Sequence, residues 1–186
     1  MSDALLVMDV QLGVMSRYPA AERMLDGVTR ALEAARQRQL AVIFVRLAFR
    51  PGYPEVSASN RTLSTLTQRP GGDMFTAGGP TTELHPALGA RSDEPVVVKK
   101  RYSAFTGSDL EVLLRSRGIT RLVLAGISTS GVVLSTLREA ADRDYQLVVL
   151  KDACWDGDEE VHRVLTEKIF PRQAEVVTVA QWIERL

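Results

Sequence analysis

The sequence is poor in cysteine: one thiol, Cys154, stands in 186 residues. A single cysteine closes no internal disulfide and offers no thiol pair to start a zinc site. Such a chain suits a reducing, cytoplasmic compartment. Net charge is missing as well, with 23 Lys and Arg against 23 Asp and Glu. Without a basic block, neither nucleic acid nor a membrane surface is an expected partner. No apolar run approaches the roughly 20 residues that a membrane span requires. The opening MSDALLVMDVQ carries acid where a secretory leader carries base. What is present is enough chain for one domain over residues 1–186, since cores usually divide only beyond about 250 residues.

Six short apolar runs read as buried strands: Ala4–Val10, Ala41–Arg46, Pro95–Lys99, Arg121–Ala125, Gln146–Leu150 and Ala174–Val179. They are continuously apolar rather than alternating, the pattern of a parallel sheet covered on both faces. Helical spacing occupies Ala20–Gln39, Ser108–Arg117, Gly131–Arg143 and Asp158–Phe170, with a short closing segment at Ala180–Arg185. Alternation of strand and helix predicts an α/β domain with right-handed crossovers. The exception is 48–92, rich in Gly, Pro, Ser and Thr, with turn signals at Pro51-Gly52, Gly71-Gly72 and Gly78-Gly79. An insert of that length is expected to be a lid, a binding loop or an oligomer contact.

Ligands of open parallel sheets bind at the carboxyl ends of the strands. Those ends carry Asp9 and Gln11, Arg46, the run Lys99-Lys100-Arg101, the segment Gly126–Gly131, and Asp152. Asp9 alone fits an N-cap or turn residue, and Lys99 alone fits a solvated rim. Together, on neighbouring strand ends, they could pair and shift each other's protonation as acid–base catalysis requires. The small residues of 126–131 suit either a capped turn or a backbone cradle for an oxyanion.

These features, in this order, resemble the isochorismatase-like hydrolase superfamily. The matching strings are LLVMDVQ at 5–11, VVVKKRYSAFTGSDLEVLLRSRGITRLVLAGIST at 96–129 and TLREAADRDYQLVVLKDAC at 136–154. The resemblance implies a single-domain three-layer α/β/α fold with a six-stranded parallel sheet, acting as a homodimer or homotetramer on a small-molecule substrate. It places the catalytic acid on Asp9 and the catalytic lysine on Lys99. It also implies a cis Ile127–Ser128 bond that turns the Ser128 and Val132 amides inward as oxyanion donors. Gln11, Arg46, Arg101, Tyr102, Thr129 and Ser130 complete the expected substrate-binding set; Arg46, Arg50 and Arg101 suit either an anionic or carboxylated substrate or a solvated rim or subunit salt bridge. No cofactor is expected. No metal is expected either, because Phe49-Arg50-Pro51-Gly52-Tyr53 stands where some relatives carry an Asp and His cluster.

The departure is at the nucleophile. Most members carry cysteine in G-[IV]-x-T-x-x-C-V-x-x-T, and here that position is Val132. Valine cannot attack a carbonyl. Cys154 lies elsewhere, and Ser128 or Ser130 would need Asp9 or Lys99 as base, since His85 and His162 are distant in sequence. True isochorismatases also lack the thiol and cleave a vinyl ether by Asp acid catalysis. Two readings follow: a Cys-independent hydrolase, or a silent relative that binds a metabolite or holds an oligomer together.

Overall fold

Every strand residue of the central hairpinless run Asp3–Met8 is buried, because the chain covers it on both sides. The computed structural model describes residues 2–68 and 73–186. Six strands, β1 (Asp3–Met8), β2 (Ala41–Leu47), β3 (Val96–Lys99), β4 (Arg121–Ile127), β5 (Gln146–Trp155) and β6 (Glu175–Val177), form one sheet. All pairings are parallel, in the order β3-β2-β1-β4-β5-β6. The order reverses between β1 and β4, which sets the switch point there.

Successive side chains leave opposite faces of a strand. Leu5 and Val7 enter one core with Val42, Phe44, Val123 and Val148. That face is covered by α2 (Leu25–Gln37) and α7 (Val179–Ile183), through residues such as Val28, Leu32 and Trp182. Ala4, Leu6 and Met8 enter the other core with Ile43, Val45, Leu122 and Leu124. There α4 (Leu110–Ser116) and α5 (Leu134–Asp142) supply Leu110, Leu114, Leu137 and Ala140. The expected α/β/α layering is therefore the observed one.

The helix boundaries differ from the sequence expectation in instructive ways. The segment 20–39 divides into a 3-10 stretch opened by Pro19 (Pro19–Met24) and α2. The segment 131–143 opens with a π-helical turn, Thr129–Val133, before α5. The segment 158–170 holds only six α-helical residues, α6 (Glu159–Val164), capped by the Asp158 side chain on the Glu160 and Val161 amides. A π-helical stretch, Leu165–Ile169, and the Pro171-containing turn Phe170–Arg172 follow.

Two helices lay outside the sequence reading, α1 (Leu12–Met15) and α3 (Arg61–Gln68). The second belongs to the insert, where Leu47, Phe49, Leu63 and Phe75 build a small core of their own. A bridge between Phe49 and Thr76 ties the insert to the end of β2. The turn signal at Gly71-Gly72 lies outside the described residues.

Candidate active site

Asp9 follows β1 in the left-handed region, φ 57°, and donates its backbone N–H to the Val45 carbonyl at 2.8 Å. Aspartate tolerates this conformation better than most residues. Beside it Gly126, φ 144°, pairs with Met8 so closely that a Cβ would lie 2.2 Å from the Met8 carbonyl oxygen. Only glycine lets β4 pass β1 at that distance. The switch point is thus shaped by one residue with an unusual φ on each strand.

Lys99 comes from β3, and its Nζ lies 2.9 Å from Asp9 Oδ2. The expectation of neighbouring strand ends is corrected here. In the sheet, β2 stands between β1 and β3, and the length of the lysine side chain spans it. Lys99 is 2% exposed and donates its other described hydrogen bond to the Arg101 carbonyl at 2.9 Å. Asp9 Oδ1 is buried and accepts no hydrogen bond within the described residues. Burial raises the Asp9 carboxyl above its ordinary value, and the attraction and hydrogen bond of Lys99 oppose that rise without cancelling it.

A cavity of about 210 Å³ opens over this pair. Of the expected site residues, Asp9, Lys99, Arg101, Tyr102, Ser128 and Val132 line it together. The Ile127–Ser128 bond is cis. The Arg101 guanidinium is held by the Lys100 and Glu55 carbonyls at 2.6 and 2.9 Å.

The other expected contacts are not in this wall. Gln11 is fully buried and uses both ends of its amide on the Leu47 backbone, at 3.1 and 2.8 Å, fastening β1 to β2. Arg46 turns to the Thr82 carbonyl and the Glu83 carboxylate. Thr129 is 0% exposed, with Oγ1 2.8 Å from His162 Nδ1. Ser130 gives its backbone N–H to Asp156 at 2.7 Å.

Five wall residues escaped the sequence reading: Val14, Tyr18, Leu47, and Thr62 and Leu63 of α3. Nothing in the composition of 48–92 signals that its short helix closes a cavity. Cys154, the one thiol, lies outside the wall, and burial pushes it up to about 12. Among the described residues no group of three or more His, Cys, Asp or Glu is arranged to hold a metal.

An open parallel α/β domain with a buried carboxylate–ammonium pair at its switch point is the class that fold and site define. Comparison with known proteins makes it specific. The isochorismatase domain model matches residues 3–181. The chain belongs to the isochorismatase family. It is 29% identical over 183 residues to an uncharacterised isochorismatase family protein of Bacillus subtilis, covering 98% of this chain and 93% of that one. It is 34% identical over 169 residues to a ureidoacrylate amidohydrolase of Stutzerimonas stutzeri, covering 81% and 68% of the two chains. An isochorismatase family structure from Burkholderia thailandensis superimposes with TM-score 0.83 at 33% identity, covering 96% and 92%. A cysteine hydrolase from Pseudomonas syringae gives TM-score 0.89 at 26% identity, covering 98% and 91%.

Proposed function

We propose that this isochorismatase-family hydrolase works without a nucleophilic cysteine, with Asp9 as acid–base and Lys99 as its electrostatic partner. The observation that carries the reading is the buried Asp9–Lys99 pair, whose second carboxylate oxygen has no partner among the described residues, beneath a cavity with no thiol in its wall. By the resemblance, Val132 stands in the nucleophile's place, and the backbone at Ser128 and Val132 is offered as the oxyanion cradle.

A raised carboxyl holds a proton more readily, which suits an acid. The chemistry this allows is protonation of an electron-rich double bond. Asp9 gives its proton to the terminal carbon of a vinyl ether, and the adjacent carbon becomes an oxygen-stabilised cation. Water adds there and returns a proton to Asp9, and the hemiketal breaks its C–O bond to leave an alcohol and a carbonyl compound. Lys99 stabilises Asp9 while it is an anion. Arg101, in the wall, suits a carboxylated substrate. The substrate class is a small, polar, carboxylated enol ether, amide or ureido compound. The ureidoacrylate relative supports including the last of these.

The test is a panel of such compounds assayed with purified protein and with Asp9→Asn. Hydrolysis of at least one compound, lost roughly 100-fold or more in Asp9→Asn, is the expected result. Silence across the panel, or Asp9→Asn indistinguishable from the parent, overturns it.

Val132 favours a second reading, because an apolar side chain in the cavity wall also suits a protein that binds a metabolite without converting it. On that reading the protein is silent, and Val132→Cys alone creates amidase activity. Native turnover that depends on Asp9 removes it. A cytoplasmic homodimer or homotetramer remains part of the proposal, checked by light scattering.

A further inference from the structure

The turn that brings Ser128 and Val132 to the cavity is held from behind. Buried Thr129 places Oγ1 2.8 Å from His162 Nδ1, and Ser130 donates its backbone N–H to Asp156 Oδ2 at 2.7 Å. Both partners come from the connection that follows β5. They are anchored in turn: Asp156 Oδ1 accepts the Asp158 N–H at 3.4 Å, and Thr166 Oγ1 donates to the His162 carbonyl at 2.8 Å. Neither Thr129 nor Ser130 lines the cavity over Asp9. A separate cavity of about 380 Å³ has His162 and Asp156 in its wall, so the imidazole exchanges protons without passing the substrate.

We propose that His162 is a positioning residue: with Asp156 it clamps residues 129 and 130, and thereby sets where Ser128 and Val132 stand above Asp9. Its bearing on catalysis rests on the hydrolase reading above, whereas its hold on the turn does not. The Thr129 hydroxyl has one hydrogen. In the neutral Nε2–H tautomer that hydrogen is donated to Nδ1, and this is the tautomer the clamp requires. Protonation of the ring puts a hydrogen on Nδ1, so the bond must reverse.

The groups that face the ring act in both directions. Asp156, beyond β5, favours the cation, while Arg23 of the 19–24 turn and Lys151 of β5 oppose it. Asp152 and Glu159 share the same cavity wall. Burial is the largest influence and holds His162 below its ordinary value, which favours the neutral ring that can accept from Thr129 at neutral pH. As pH falls through that lowered value the clamp inverts.

The experiment uses Val132→Cys in a Cys154→Ala background, so that the thiol on the clamped turn is the only one present. Iodoacetamide alkylation of the introduced thiol then reports where the turn stands. Adding His162→Phe or Thr129→Val is expected to change the rate roughly threefold or more, and His162→Asn, whose Oδ1 accepts the same hydrogen bond, to bring it back. Folded variants with unchanged rates, or Asn no better than Phe, overturn the clamp. A second measurement needs no cavity variant. In His85→Gln only one histidine remains, and adding Thr129→Val should move its ring titration upward, because the neutral form loses its donor. A titration unmoved or moved downward overturns the proposal. Neither measurement involves a substrate, so a failed activity panel leaves both decisive.

Discussion

Lys99 has two described partners, the Asp9 carboxylate and the Arg101 carbonyl, and almost no solvent contact. Removing it leaves Asp9 either charged and uncompensated or forced to take up a proton. Lys99→Met should therefore destabilise by about 3 kcal/mol at pH 8 and clearly less at pH 5, where protonating Asp9 is easy. Urea denaturation at the two pH values checks it, and equal losses would refute it. The sign for Asp9 agrees: a carboxyl raised on folding binds more protons when folded, so its contribution to stability falls as pH rises past its ordinary value of 3.8. Cys154 behaves oppositely to a family nucleophile. With its thiol near 12 it should resist iodoacetamide in the native state, and Cys154→Ala should keep any native activity. Rapid native alkylation would contradict the burial that sets that value. Asp9 and Lys99 were legible because a charge closing an apolar strand is conspicuous. His162 was not, because its partner Thr129 is 33 residues away and only packing joins them. Gln11 was misread for a related reason: a polar residue past a strand end serves a ligand or a neighbouring backbone equally well, and here it serves Leu47.

The strands were readable as elements, since six apolar runs became six strands with ends shifted by a few residues. Their order was not, because it depends on where each crossover helix packs. That is why Lys99 lies two strands from Asp9 rather than beside it. The insert shows the opposite limit, as α3 was invisible in a loop-like composition and yet supplies Thr62 and Leu63 to the cavity. Between β1 and β4 the critical element contact is Gly126 against the Met8 carbonyl. Gly126→Ala should cost more than the ~1 kcal/mol usual for alanine at positive φ, since a Cβ only 2.2 Å from a backbone oxygen must also be accommodated. A drop in urea midpoint and in soluble yield is the expected outcome; a parent-like midpoint would show that the strands can separate freely.

At the scale of the whole molecule, α2 is joined to the chain entering β3 by Arg36, whose guanidinium meets both Glu94 oxygens at 2.7 and 2.8 Å in a half-sheltered site. Burial would raise the Glu94 carboxyl, but the Arg36 and Arg91 hydrogen bonds outweigh it and hold the group below its ordinary 4.5. A depressed carboxyl stabilises the fold above that value, and the stabilisation is lost as pH falls through the lowered one. Glu94→Gln should accordingly lower the melting temperature at pH 7, and the loss should shrink as the pH falls below 4.5. An equal loss across that range would exclude the ion pair as the cause. The other consequence at this scale concerns β3, a four-residue strand on the outer edge of the sheet. Its last residue turns a charge inward, towards Asp9, instead of outward. That charge is already buried and paired, so what limits addition of a further strand at this edge is the shortness of β3, whose four residues offer few free backbone groups.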